Sequence, residues 1–430
     1  MLALWVIGLA AVLVLGVQSA GLGQAFGARD SLAEVRARWA AVSGVERMIA
    51  ILADDLEDPH PTDAYDVYDR MAEAANGAVN RGSYSIEHWE GGERFDGPAD
   101  AHARINVARM SSEDLFWLPN MTEDLISRIT DWTDADDDVS PLGAELGSYL
   151  SAEHPYEPRN GLLQAIEEME LIAGILPMDV REEDWNLNGT LDPNENDGDE
   201  TYPPDDADGV LDAGWSGILT VVSSESTYGL SGQPKVRLGL GLGAGELVGR
   251  VGITAEQAEV IGQYAGTSGA SLETLVNTPL RALPGLTGQP IDPQAQPITD
   301  EQLGLLLEEA AIDGEWLDLA GPRLPGRLNL NTVSEDTLAY APGVTSSIAD
   351  ILVRERAGRP LGFRTVADLL EVPGLTRGRV QELVQAFGFR SSVFVIRSVG
   401  VDEASGMRVE LITTVDRSRL PVVVRDVVIR

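Results

Sequence analysis

The chain has 430 residues, 43% of them apolar, which suits about two or three folded domains and argues against wholesale disorder. Its 69 Asp and Glu against 31 Lys and Arg give a formal net charge of −38, a field that repels nucleic acid and anionic membrane surfaces and favours divalent metals, unless it is simply a soluble acidic surface. The absence of cysteine excludes disulfides, thiolate chemistry and Cys-ligated zinc.

Residues 1–28 carry no charge, and 1–17 (MLALWVIGLAAVLVLGV) are almost continuously apolar. A helical membrane span needs roughly 20 such residues, which this stretch supplies if it runs on to Phe26. A cleaved signal peptide would show a basic start and a small-residue cleavage site, whereas the first basic residue here is Arg29. Leu32, Val35, Trp39, Val42, Val45, Met48, Ile49, Leu52 and Leu56 then recur at spacings of three and four, with Arg36, Arg38, Glu46 and Arg47 largely opposite. One helix of about 50 residues, half in lipid and half lying on a folded head, accounts for both patterns, and Asp58-Pro59-His60-Pro61 ends it.

Residues 83–89 (SYSIEHW) alternate as a strand does, and Gly91-Gly92 make a turn. Residues 105–122 (INVARMSSEDLFWLPNMT) and 328–345 (LNLNTVSEDTLAYAPGVT) align without a gap at Asn106/Asn329, Ser111/Ser334, Leu115/Leu338, Pro119/Pro342 and Thr122/Thr345. Both read as helix-hairpin-helix units, with a degenerate third copy at 247–261 and an echo of the following helix at 271–276 and 365–370. Helical signals cover 162–176, β-rich pieces lie at 218–222 and 236–240, and the Gly- and Pro-rich 284–297 reads as a long loop. The β-branched runs 393–401, 407–415 and 421–429 read as an antiparallel meander. The order helix, strand, helical block, strands is that of an α+β fold whose sheet is split by a helical insertion.

Three acidic clusters suggest metal. In residues 184–195 (DWNLNGTLDPNE), oxygen ligands fall at Asp184, Asn186, Asn188, Asp192 and Glu195, with Gly189 at the sharp turn and Thr190 offering its carbonyl. This is the twelve-residue EF-hand calcium spacing, which brings hard oxygens around one point. Asp206, Asp208 and Asp212 repeat its middle, but Pro204 and Trp215 fall at the two ends, so that copy needs help from Asp197, Asp199 or Asp205. Around Asp131, Asp134, Asp136, Asp137 and Asp138 the carboxylates repel unless a cation or an arginine compensates them, and Arg159 is the expected partner. For the first two clusters the alternative is a solvated acidic loop, and for the third a solvated helix end.

Catalysis finds no support. His60, His88, His102 and His154 have no HExxH spacing, and 239–245 (GLGLGAG) lacks the Lys-Ser/Thr that phosphate chemistry requires, leaving a flexible turn. The hairpin turns at Pro342-Gly343-Val344-Thr345 and Pro373-Gly374-Leu375-Thr376 resemble phosphate-cradling turns, but threonine replaces the second glycine, and Asn120 replaces the first in copy one. Residues 327–390 hold eight Arg against seven Asp and Glu, too few uncompensated cations for DNA at physiological salt. Packing or protein docking suits these hairpins better.

The set Asp131-Trp132, Asp134, Asp136, Gly143-Ala144-Glu145, Tyr149, Pro155-Tyr156, Pro158, Asn160 and Glu167-Glu168, together with LNLNT at 328–332, resembles the minor pseudopilin family called general secretion pathway protein K. The resemblance covers nearly the whole chain. It implies a transmembrane part at 1–28, an amphipathic helical part at 29–58, first pilin-like strands at 59–103, an inserted helical domain with hairpins and calcium loops at 104–390, and C-terminal strands at 391–430. It further implies a single-pass inner-membrane protein with its head in the periplasm, a short basic leader ahead of the mature start, and calcium as the bound ion. The implied role is non-catalytic: capping the tip of the type II secretion pseudopilus with other minor pseudopilins, without nucleic acid or a small-molecule substrate. Pilins generally carry Glu at mature position 5; Trp5 stands here, and the K family resembles this chain in lacking that acid. The second reading is a membrane-anchored DNA receptor of the competence type, which residues 328–387 also resemble. A third is a dockerin-like calcium module, for which only one complete loop is present.

Overall fold

The computed structural model describes every residue except 1, 91, 240–242, 313, 319 and 320, together with all but a scatter of side chains, most of them in the first 26 residues. The first half of the expected Gly91-Gly92 turn and residues 240–242 of the 239–245 turn therefore lie outside the described residues. Helix α1 runs over Leu2–Glu57 without a proline and stops where Pro59 removes a backbone donor. Among the described residues no helix is long and apolar enough to cross a membrane. The spanning expectation for 1–28 falls partly on side chains outside that description.

The second half of α1 lies on a seven-stranded sheet. Its members are β1 (Asn76–Val79), β2 (Gly82–Glu90), β3 (Glu93–Asp96), β4 (Ala99–Asp100), β5 (Val393–Asp402), β6 (Arg408–Asp416) and β7 (Val423–Ile429). The strand order is β1-β2-β5-β6-β7, with β3 on β2 and β4 on β5, and every pairing is antiparallel. β5 pairs Ser398 with Ile86 and Phe394 with Asp100, so one sheet closes across residues 101–392, which fold elsewhere. The expected meander is β5-β6-β7.

The face that α1 turns to the sheet corrects the apolar stripe at its upper end. Leu32, Val35 and Trp39 are exposed, Trp39 by 64%, while Ala33, Ala37, Ala40 and Ala41 are buried. The cause is close approach. A Cβ on Gly400 would stand 1.9 Å from the Ala37 carbonyl oxygen, and one on Gly44 would stand 2.6 Å from Ser398 Oγ. Large side chains cannot enter that seam, so small ones take it and the large ones turn out. Further down the helix and sheet diverge, and Val45, Met48, Leu52 and Leu56 are buried as the periodicity predicts, the first three with Val67, Met71, Ile86, Phe394 and Ile396.

A second, larger core belongs to residues 105–389. It is mainly helical, tied by parallel strand pairs of two or three residues: Ile105–Asn106 with Leu219–Thr220, Val236–Leu238 with Ala310–Ile312, and Leu328–Asn329 with Phe387–Gly388. The helix expected over 162–176 is only the 3-10 turn Ile166–Leu171. Gly174 at φ +92°, packed where a Cβ would meet Arg128 Nη1 at 2.1 Å, and Pro177 beyond it prevent continuation.

Two aspartates, Asp100 half-buried and Asp416 buried, fasten insertion to sheet. Asp100 Oδ2, where the chain leaves the sheet, accepts from Tyr68, Thr332, Ser391 and Asn329. Asp416, at the end of β6, accepts from Arg425 and the Ser418 amide and pairs with Arg323 of the insertion at 2.6 Å. Burial works to raise the Asp416 carboxyl, but Arg425, Ser418 and Arg323 prevail and hold it below the ordinary aspartate range. A depressed folded pKa adds stability above the unfolded value of about 4 and loses it as pH falls through the folded one. Asp416→Asn is therefore expected to cost about 2–3 kcal/mol at pH 7, below the full penalty for a broken buried pair because Arg323 is partly solvated. In urea melts that deficit should narrow on acidification.

Candidate metal centre and hairpin repeats

The hairpin copies fold alike. Ser112–Leu115 and Glu123–Thr133 form the first, Glu335–Leu338 and Ser346–Ala357 the second, Val366–Leu370 and Arg377–Ala386 a third, and Ala244–Val251 with Ala255–Ala265 the degenerate one. Ser111 and Ser334 cap their first helices by accepting from the Asp114 and Thr337 amides. The turn needs a left-handed residue, supplied by Gly343 (φ +73°), Gly374 (+94°), Gly252 (+73°) and, in copy one, Asn120 (+57°). Asparagine is among the few side chains that tolerate that region, which is why the missing glycine did not break the turn.

At the position of the second glycine, Thr376 accepts from the Arg379 amide and Thr254 from the Gln257 amide, so the helix starts are capped by side chains. Five arginines of the C-terminal hairpins are occupied as well. Arg356 donates to the Leu330 and Val333 carbonyls, Arg359 and Arg364 pair with Asp368, Arg377 with Asp300, and Arg379 with Glu382.

The 184–195 loop gathers its expected residues, and they satisfy one another. The Asp184 carboxylate accepts from the Asn188 and Gly189 amides at 2.8 and 2.9 Å, and the Glu195 oxygens accept from Trp185 and Asp192 at 3.1 and 3.0 Å. Asn186 and Asn188 both donate to Asp192 Oδ2, and Thr190 bonds to Asn188. Gly189 takes φ +69° at the turn, as the spacing requires. Burial raises the Asp184 and Glu195 carboxyls. No helix of EF-hand length flanks the loop, since Pro177–Arg181 precedes it and the 3-10 turn Pro193–Glu195 closes it.

Asp206, Asp208 and Asp212 are organised by a residue that sequence reasoning missed. Buried Glu183 accepts from the Asp206 and Asp212 amides at 3.1 Å each, while Asp205 accepts from Asp197 and Gly198. The side chains of Asp206 and Asp208 accept from the Asp208 and Val210 amides. Asp212 is pushed up by burial, then by Asp206 and Asp208.

The third cluster differs in kind. Among the described residues, Asp131, Asp134 and Glu145 form the one group of three carboxylates that each offer an oxygen within 4.8 Å of the other two. Asp131 and Glu145 are 0% and 1% exposed. Both Glu145 oxygens, Asp134 Oδ1 and Asn160 Oδ1 are buried with no hydrogen-bond partner. Gly143 leaves the room: a Cβ there would stand 2.0 Å from Asp131 Oδ2. Arg159, expected to compensate this cluster, instead pairs with Glu168, which also accepts from Trp132 Nε1 and the Gln164 amide. Trp132 packs edge-on against Tyr149, and Tyr149 against Tyr156, building the wall behind the carboxylates. Burial and then Asp136 push Asp134 up, and burial and then Asp131 push Glu145 up. Three carboxylates gathered within 4.8 Å of one another, with both Glu145 oxygens and Asp134 Oδ1 unpaired, fit a divalent cation better than they fit water or an arginine. Glu145 lies fourteen residues from Asp131, so only the Gly-Ala-Glu beside the acidic run could have flagged it.

Residues 97–182, which hold all of this centre, match the family model described as Type II secretion system (T2SS), protein K. Over that segment the chain is similar to type II secretion protein K. Residues 326–387 match the helix-hairpin-helix motif model. The crystal structure of the GspK-GspI-GspJ complex from the type 2 secretion system of enterotoxigenic Escherichia coli is similar over 94% of this chain and 99% of that one, at 12% identity and a TM-score of 0.44. Comparison with the curated proteins gives no match. The residues that carried the protein K resemblance in the sequence, Asp131, Trp132, Asp134, Glu145, Tyr149, Tyr156, Asn160 and Glu168, are those that build the centre and its wall.

Proposed function

We propose that this chain is a minor pseudopilin that caps the tip of the type II secretion pseudopilus and takes part in export across the outer membrane without catalysing a reaction. The observation that carries the reading is a helix-on-sheet head whose antiparallel sheet is interrupted at residues 101–392 by an insertion containing the protein K match. A head enlarged in this way accepts subunits beneath it and resists stacking above. The N-terminal helix anchors it in the inner membrane with the head in the periplasm, and other minor pseudopilins are its partners. Calcium is the ion we assign to Asp131, Asp134 and Glu145, with the 184–195 loop and Asp206, Asp208 and Asp212 as further sites. Its chemistry there is charge compensation and loop ordering. The test is co-purification of the full chain with the co-expressed minor pseudopilins of its own system; its failure would overturn the reading.

The DNA-receptor reading is favoured by one observation, the helix-hairpin-helix match at 326–387. Against it stand arginines already paired and a Thr376 hydroxyl spent on a helix cap. In a gel shift at about 150 mM salt the chain is expected to leave duplex DNA unretarded at micromolar concentration, where even non-specific DNA binders begin to act. Retardation there would reinstate the receptor.

A further inference from the structure

We propose that the free edge of β7 is a docking rail on which an acidic edge strand of another pilin-type subunit is added. The proposal rests on the pseudopilin reading and names the surface that reading lacks.

The argument begins with the backbone. Glu410 and Arg430 exchange both of their main-chain hydrogen bonds, at 3.1 and 3.0 Å. In an antiparallel pair such bonded rungs alternate with open ones, so Ile412 and Val428 form the next bonded rung. The N–H and C=O groups of Val427 and Ile429, opposite Thr413 and Leu411, then point away from the sheet. Among the described residues no strand pairs with that side, because β7 ends the strand order.

The side chains agree. Val424, Val427, Val428 and Ile429 are 42%, 49%, 40% and 47% exposed, so neither face of the strand is fully covered. Edges are usually blunted by prolines, bulges or inward charges. Here Pro421 precedes the strand and the register shift falls at Thr414/Val415, which protects only its first half. Residues 427–429 remain regular, apolar and open. The opposite edge, β1, is four residues long and ends in the left-handed turn Asn80-Arg81.

Charge selects the occupant. Exposed Arg408 and Arg430 stand at the open end of this edge in a chain of net charge −38, with Asp426 the one exposed acid of the strand. A second copy pairing edge to edge would bring like charges together, both locally and across the whole chains. A different subunit offering an extended strand with acidic side chains meets the open backbone groups, the apolar side chains and the two arginines at once.

Because the chain contains no cysteine, the test is clean. The full chain is co-expressed with the minor pseudopilins of its system and pulled down by a tag. Val427→Pro removes an outward N–H, and Val427→Glu with Ile429→Glu sets acid against acid. Each is expected to lower recovery of one partner at least tenfold while its melting temperature stays near that of the parent. Val427→Cys is expected to form a disulfide with a cysteine placed in that partner's edge strand. If the parent chain recovers no partner, the pseudopilin reading fails and the proposal with it. If the parent recovers a partner and the folded proline and glutamate variants recover it equally, the edge assignment alone is overturned.

Discussion

Gly400→Val is expected to be the most damaging single substitution in the head, lowering stability by about 3 kcal/mol or more. The new Cβ would stand 1.9 Å from the Ala37 carbonyl oxygen and 2.5 Å from the Ala41 nitrogen. Both are backbone atoms of α1, so no side chain can swing aside. Either the helix lifts off β5, exposing the core of Val45, Met48, Ile86 and Phe394, or the strand bends and breaks its register with β2 and β6. Since whole domains are typically stable by about 5–15 kcal/mol, much of the head's margin would be gone. Gly249 is the control. It lies within the helix Ala244–Val251, and a Cβ there meets nothing within 4 Å, so Gly249→Ala should stabilise by up to about 1 kcal/mol. Thermal unfolding of residues 29–430 with each change reads both signs. A Gly400→Val head that melts with the parent would mean that the close seam is not what holds α1 to the sheet.

That seam also shows where sequence reading stops. Apolar periodicity carries a signal only when the buried side chains are large, so Val45, Met48, Leu52 and Leu56 were legible and the alanine seam above them was not. Leu32, Val35 and Trp39 repeat at the correct interval, yet they lie on the outer face because the inner one admits only Ala and Gly. The split sheet was readable from the order of β-branched and helical segments, and the hairpin repeats from their shared capping serines and turn residues. The acidic centre was half readable. Asp131 and Asp134 are neighbours in the chain, but Glu145 reaches them through a loop with no periodicity, and nothing in the sequence reveals that Glu168 has already taken Arg159. The 184–195 loop gave the opposite lesson. Its spacing was recognisable and its glycine turned as required, while the donors that occupy the Asp184 and Glu195 oxygens are backbone amides, which sequence does not display.

Glu145→Gln is expected to reverse the sign of its effect on stability according to whether calcium is present. Without the ion, Asp131, Asp134 and Glu145 hold carboxylate oxygens within 4.8 Å of one another, and both Glu145 oxygens lack a donor. Repulsion and desolvation then oppose folding, and the neutral amide, which keeps the shape and adds two N–H donors, relieves both. In EDTA the variant should therefore melt above the parent. With calcium the order inverts, because the same oxygens become ligands and the amide supplies one neutral oxygen where a carboxylate supplied a charge. An ion present at a hundred times its dissociation constant adds about 2.7 kcal/mol, which corresponds to a rise of roughly 5 °C for the parent head and less for the variant. Magnesium, which demands a smaller and more regular shell, should substitute poorly. The same pair of melts on Asp192→Asn separates the centres: in the 184–195 loop the carboxylate already accepts from Asn186 and Asn188, so its removal costs hydrogen bonds with or without EDTA. A Glu145→Gln head that shifts in the same direction in calcium and in EDTA would sink the metal assignment at residues 131, 134 and 145. The 184–195 loop and the cluster of Asp206, Asp208 and Asp212 would then be the remaining places for an ion to act.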